Sequence, residues 1–219
     1  MTWDNIWEES FIAEIGSVEE RTGTNPMDWR VAGSATKAWP DKENKAWWDE
    51  NGRKMFFDFI NMWQGSGMEI WQSPTGVSGV EIEFNNYFGK TLIKAFADLV
   101  AVTPDGEIVV IDFKTGKSTP DSSMQLGIYA SLMEMQFGIR PTKGYYYSAR
   151  KAEWKESPGL ERWTIGILTE LFSKFETAIE NEIFLPNVGM GCGTCGVRDY
   201  CYAQGGQLAE LYDPLADKK

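Results

Sequence analysis

Apolar and polar positions repeat with two periods along this chain, and the switches between them mark its elements. Ile6, Trp7, Phe11, Ile12 and Ile15 fall near helical spacing, which predicts an opening helix over residues 1–22. The stretch 23–41, with Asn25-Pro26, Gly33-Ser34 and Trp39-Pro40-Asp41, reads as a loop. Asp41 is expected to cap a second helix, whose Trp47, Trp48, Met55, Phe56, Phe59, Ile60 and Trp63 form one stripe to about residue 63. Gly52 is a weak point in that helix and Gly65-Ser66-Gly67 its expected end. The aromatic stripe is the mark of core packing.

A period of two follows. Val80 to Phe84 alternates apolar and acidic, Thr91 to Val102 continues as a second strand, and Glu107 to Phe113 as a third. Thr103-Pro104-Asp105-Gly106 is a turn signal, so the three strands are expected to form an antiparallel meander. Its register matters. With Thr103 facing Glu107, Asp98 lies opposite Asp112 on one face; a slip of one residue turns one of the two away. A helix follows from Asp121 or Ser122 to Phe137, ended by Gly138, then a Tyr-rich strand over Lys143 to Ala149 and an amphipathic helix from about Thr164 to Phe184. Three strands, a helix, a strand and a helix make an α/β pattern built on a mixed sheet. The expected organisation is one domain over 1–219: an N-terminal helical lobe over 1–79, a core over 80–184 and a small cysteine-bearing lobe over 185–219.

Composition narrows the chemistry. The chain has 219 residues, a net charge of −11 and no histidine. Imidazole acid–base catalysis and imidazole metal ligands are excluded, and serine–histidine hydrolases and zinc metalloproteases with them. The negative charge taken alone argues against a nucleic-acid partner, because backbone binding needs Lys and Arg against phosphates. Net charge averages over a whole surface, however, and a groove needs only local potential. Residues 140–162 hold Arg140, Lys143, Arg150, Lys151, Lys155 and Arg162, which read either as a solvated face or as a strand-binding rim. No apolar run reaches membrane-spanning length and the first residues carry no secretory pattern, so the expected location is cytoplasmic, with no membrane partner.

The most informative stretch is Ile108-Val109-Val110-Ile111-Asp112-Phe113-Lys114. Asp112 and Lys114 are two residues apart on a strand and share a face. With Asp98 across the turn, two carboxylates and an amine would converge. Asp98, Asp112 and the Phe113 carbonyl offer hard oxygen donors of the kind Mg²⁺ or Mn²⁺ takes, with Glu81 and Glu83 as further donors and Glu83 the weaker of the two. Such a cation activates water for phosphodiester hydrolysis, and Lys114 could orient the attacking group or offset charge on the phosphate. On the following helix Gln125 and Tyr129, four apart, lie on one face.

The ordered set Asp98-Leu99-Val100, Ile111-Asp112-Phe113-Lys114-Thr115-Gly116 and Gln125-Leu126-Gly127-Ile128-Tyr129 resembles the PD-(D/E)xK nuclease superfamily, in its RecB/AddB-like exonuclease branch. That resemblance implies a restriction-endonuclease-like mixed central sheet flanked by helices. It implies that Asp98 and Asp112 bind the metal, that Lys114 is catalytic, and that Gln125 and Tyr129 shape the site and its contact with DNA. The branch places a His in a Gly-x-x-His segment, where this chain has Gly52-Arg53-Lys54-Met55, and Met55 does not serve a hard cation. It also favours Gly three residues before the first Asp, where this chain has Ala95.

The only three cysteines, Cys192, Cys195 and Cys201, fall within ten residues among glycines. Thiolates so placed suit Zn²⁺ or an iron–sulfur cluster, and an odd number does not make a disulfide framework. The spacing resembles the C-terminal three cysteines of AddB-like and CRISPR-adaptation nucleases, which bind a [4Fe-4S] cluster. Their fourth Cys lies near the N-terminus, and this chain has none before 192. Zn²⁺ and a vestigial loop that binds nothing are the alternatives.

The resemblance, with the Trp-rich segment from Ala38 to Trp48, implies a phage-encoded metal-dependent DNA exonuclease. It would act in phage DNA replication or recombination in the host cytoplasm, on single-stranded DNA or free ends, with recombination or replication proteins as partners. No phosphate-binding Gly-x-x-x-x-Gly-Lys-Thr loop is present, so unwinding would come from elsewhere. The rival reading is a DNA-binding or assembly module that keeps the fold without catalysis.

Overall fold

The computed structural model describes residues 2–29 and 43–209. The expected Asp41 cap and most of the 23–41 loop, Trp39 included, lie outside those residues. The chain divides into two compact units, Met1–Glu170 and Leu171–Lys219.

The first unit opens with helix α1, Trp3–Thr22, capped by the Thr2 hydroxyl and closed by Gly23. Helix α2 spans Lys45–Ser66 and is capped by Asn44, whose side chain accepts from Trp47 N. Asn44 and Asp41 are both good caps, and propensity alone does not choose between them. Gly52 is the seat of the α1–α2 contact: a Cβ built there would stand 2.9 Å from the Trp7 ring. Arg53 reaches back across that contact to Asp4 and Glu8.

The sheet consists of β1 Glu69–Ile70, β2 Val80–Phe88, β3 Thr91–Val102, β4 Ile108–Lys114, β5 Lys143–Ser148 and β6 Glu153–Glu156. Its order is β1-β3-β4-β5-β6, with β2 also paired to β3. Strands β2, β3 and β4 form the expected antiparallel meander. Between β4 and β5 runs α3, Met124–Phe137, and those two strands pair in parallel, as a helical crossover requires. Strands β1 and β6 were not expected: two residues, and the polar run Glu153-Trp154-Lys155-Glu156, are too short to display a period.

Strand β4 is buried on both faces; Val109, Val110 and Ile111 are each 0% exposed. Val109 and Ile111 join Leu99, Ala101 and Tyr147 in a cluster against Phe59, Met62 and Trp63 of α2. Phe59 meets Phe113 and Tyr147 edge-on at 4.9 and 5.2 Å. On the other face Val110 and Leu126 of α3 close over Gly144 of β5. Helix α3 ends at Gly138, φ 69, where a left-handed residue closes the last turn.

Helix α4, Ile165–Glu180, begins in the first unit and runs into the second. It stops short of the expected residue 184, because Glu182 takes φ 55 and Ile183 N–H returns to the Ala178 carbonyl. The second unit continues in short 3-10 turns, Met190–Thr194, Arg198–Tyr200 and Tyr202–Gln204. No helix among the described residues is long and apolar enough to cross a membrane.

Burial raises Tyr146 and Tyr147 from the ordinary value of 10 to about 12. The folded chain therefore keeps both protons where the unfolded chain loses them. Their contribution to stability is whole below pH 10 and lost as pH rises toward 12, so thermal melts should fall by several degrees between pH 9 and pH 11. The Tyr147 hydroxyl is buried without a hydrogen-bond partner among the described residues. Tyr147→Phe should therefore leave stability at neutral pH unchanged or raise it by about 1 kcal/mol, and should shallow the alkaline slope.

Candidate active site

The site lies on the α3 side of β3 and β4. Thr103 N–H donates to the Glu107 carbonyl at 2.9 Å, and Leu99 pairs with Ile111 through Val102 with Ile108. One step further along that register sets Asp98 opposite Asp112, the first of the two alternatives considered from sequence. Phe113 N–H donates to Asp98 Oδ2 at 2.8 Å and fixes that carboxylate across the strand pair.

Asp112 is 2% exposed. Its Oδ1 accepts from Gln125 Nε2 at 2.6 Å. Its Oδ2 lies 2.6 Å from Lys114 Nζ, an ion-pair contact, yet no donor is aligned on it as a hydrogen bond. Lys114 Nζ donates to Gln125 Oε1 at 2.9 Å, and Gln125 Nε2 also donates to the Tyr129 hydroxyl at 2.9 Å. One amide thus ties Asp112, Lys114 and Tyr129 together. Gln125 and Tyr129 reach the strand because their spacing puts them on one helix face. The Tyr129 oxygen receives Gln125, so its own proton is left to donate outward.

Burial pushes the Asp112 carboxyl above the usual carboxylate range; Lys114 pulls it down and the charge of Asp98 raises it. Tyr129 is likewise raised by burial, opposed by its bond from Gln125 and reinforced by the charges of Asp112, Asp98 and Glu81.

The other acidic candidates separate. Glu83 is exposed; its carboxylate accepts from Asn85 at 2.8 Å and pairs with Lys94 at 3.0 Å. Glu81 sits opposite Asp98, bracketed by Val80–Leu99 and Ile82–Ala97, and takes φ 50, a left-handed conformation rare outside glycine. Among the described residues no three His, Cys, Asp or Glu side chains are grouped to hold a metal ion. The chemistry of the donor set nonetheless suits a hard divalent cation: two carboxylates on adjacent strands, one of them buried with the Lys114 ammonium beside its Oδ2.

One neighbour was not foreseen. Tyr146 pairs with Asp112 in the parallel register, its ring centre is 5.5 Å from Lys114 Nζ, and its hydroxyl donates to the Ser122 carbonyl at 2.8 Å. The run Lys-Gly-Tyr-Tyr-Tyr-Ser shows no alternation that would single out Tyr146; its place beside Asp112 follows from the parallel pairing of β5 with β4.

The basic stretch 140–162 is largely neutralised internally. Arg140 pairs with Glu134, Lys143 with Glu107, Arg150 with Glu43, Lys151 with Glu153 and Lys155 with Asp121. The Arg150 side chain is largely buried in its pair, whereas those of Lys143, Lys151 and Lys155 remain accessible to solvent. Cys192 and Cys201 are half-buried and Cys195 is exposed, all as free thiols, and Cys192 Sγ accepts from Gly189 N–H at 3.3 Å.

Residues 13–202 match the family described as the PD-(D/E)XK nuclease superfamily. The chain belongs to that superfamily. Its mixed sheet flanked by helices is the restriction-endonuclease-like fold of these nucleases. A relative, the Gene 69 protein of Mycobacterium phage D29, is 35% identical over 130 residues, 57% of this chain. The chain spans about half, 48%, of that relative's length. The crystal structure of SSO0001 is similar over 73% of this chain and 78% of its own, at 20% identity and a TM-score of 0.34.

Proposed function

We propose that this superfamily member is a metal-dependent DNA exonuclease of the RecB-like branch, phage-encoded and acting in replication or recombination. The observation that carries the reading is the single network in which Gln125 joins Asp112, Lys114 and Tyr129, with Asp98 held opposite. Asp98 and Asp112 would hold Mg²⁺ or Mn²⁺, which supplies an activated water and polarises the phosphate. Lys114 holds its proton at Nζ between Asp112 and Gln125 and can turn it toward charge on the phosphate oxygens. Tyr129 donates its free proton to the same group, while Gln125 keeps all three side chains in one geometry. The burial of Asp112 excludes bulk water from that side.

The test is release of acid-soluble nucleotides from internally labelled linear and circular, single- and double-stranded DNA in Mg²⁺, Mn²⁺ or EDTA, with conversion of circles to linear strands followed on gels. Hydrolysis of linear DNA in either metal, absent in EDTA and on circles, supports the exonuclease. Hydrolysis of circles replaces it with an endonuclease. Binding without cleavage in every metal favours the assembly module, a reading motivated by Met55 at the expected His position and the charge of −11. The cysteine segment supports a second centre: three thiolates suit iron or zinc but leave a fourth ligand to be found. Iron and zinc analysis of anaerobically purified protein decides between a [4Fe-4S] cluster, Zn²⁺ and a loop that binds neither.

A further inference from the structure

We propose that Arg150, in the turn after β5, is a positioning residue for Lys114. The proposal rests on the reading of Lys114 as part of the reaction centre, and its test has an arm that does not. Arg150 lies on no catalytic motif, and its contacts are non-local. Its Nε donates to the Thr115 carbonyl at 2.6 Å. Its two terminal nitrogens donate to the two carboxylate oxygens of Glu43 at 3.2 and 2.8 Å. The guanidinium lies 5.0 Å from the Trp47 ring centre and 5.6 Å from that of Trp48. The side chains of Arg150 and Glu43 are 11% and 3% exposed.

Thr115 is the first residue past β4, and its carbonyl sets the direction in which the chain leaves Lys114. The preceding carbonyl, that of Lys114 itself, accepts from Ala149 N–H at 3.0 Å. Two adjacent carbonyls are thus held by two adjacent residues of the β5–β6 turn. Downstream, Tyr146 holds the Ser122 carbonyl just ahead of α3, which carries Gln125. The loop between Lys114 and Gln125 is pinned at both ends from β5 and its turn, so the Lys114–Gln125 bond is not left to the loop's own rigidity. Arg150 adds a tie to the start of α2 through Glu43, next to the Asn44 cap. A planar fork with three engaged donor groups does this; a lysine ammonium, a point charge on a flexible stem, keeps the charge beside Glu43 and cannot reproduce the three directions at once.

Arg150→Lys is the variant of choice, since it leaves Glu43 a cation; Glu43→Gln, which loosens the fork from α2, is the second. In full-length protein, acylation by a small amine-reactive reagent is followed by mass spectrometry at Lys114 and at Lys90, an exposed lysine remote from the contacts described. Arg150→Lys should raise the Lys114 rate by about fivefold or more while Lys90 and the melting transition hold, because Lys114 is released from Gln125 and Asp112. The same variant should lower kcat on end-labelled DNA by roughly tenfold to a hundredfold, with KM within about twofold, as a misplaced catalytic group does. Glu43→Gln should shift both readings the same way by less. Unchanged Lys114 acylation with kcat within twofold of wild type overturns the proposal, as does a rise in acylation at both lysines that tracks general unfolding. If the wild-type chain cleaves no DNA, the functional reading fails and the acylation arm still decides the role of Arg150.

Discussion

Lys114→Ala and Asp112→Ala should each abolish DNA hydrolysis, by more than about a thousandfold, while leaving a cooperatively folded protein. A thousandfold is about 4 kcal/mol of barrier, the scale expected when a charged group at the reacting phosphate is removed. Neither truncation opens the main core. Lys114 projects its amine to a partly exposed position, 24% accessible, and the apolar cluster behind it is built from the alternate residues Val109 and Ile111. Asp112 is buried, yet burial is what raises its pKa, so its ionised form costs the fold something in the absence of a cation. The paired measurements are the rate on end-labelled DNA at saturating Mn²⁺ and the thermal melt. Full activity in either variant, with metal present, would end the proposed mechanism. Loss of activity together with loss of the folding transition would mean these residues hold the sheet together instead.

The largest stability effect should come from Gly127→Ala. A Cβ built at Gly127 would fall inside the Trp163 side chain, close to its own Cβ, where rotamer changes give little relief. Trp163 cannot easily back away: its indole N–H donates to Ser123 Oγ at 2.9 Å, and its carbonyl accepts from Ser131 Oγ and Arg140 at 2.6 and 3.1 Å. Overpacking of that kind costs about 3 kcal/mol. Gly127 also lies between Gln125 and Tyr129 on the far side of α3, so any shift that relieves the clash drives both of them against the sheet. Activity should fall with stability. The discriminating measurement is a double-mutant cycle with Trp163→Gly, which removes the Cβ, Cγ and Cδ1 atoms that an added methyl would meet; it should destabilise on its own but make Gly127→Ala far less costly. Strict additivity would show that the two residues do not press on each other.

Much of this was legible because it is local. The turn Thr103–Gly106 joins two strands with few residues to spare, which narrowed the register to two alternatives; the Thr103–Glu107 pairing in the structure, not the sequence, selects the one that sets Asp98 against Asp112. Gln125 and Tyr129 share a helix face by arithmetic alone. Contacts that cross the chain were not legible. Arg150 meets Glu43 across 107 residues, and Tyr146 reaches Lys114 only because β5 docks parallel to β4. The stretch 140–162 shows the same limit: its positive charges are visible in sequence, but the carboxylates that neutralise Lys143 and Arg150 come from elsewhere. The φ of 50 at Glu81 had no local cue either, since nothing in Val80-Glu81-Ile82 departs from a plain strand pattern.

Strand β4 has seven residues, and its odd and even positions look toward different helices. Its last four residues therefore answer to two separate demands, cohesion at Ile111 and Phe113 and, on the proposed function, reactivity at Asp112 and Lys114. In a survey of substitutions scored separately for abundance and for turnover, sensitivity should alternate from Ile111 to Lys114, while Val109 and Val110 both score for abundance. Compensating changes for the odd positions should arise in α2, and those for the even positions in α3.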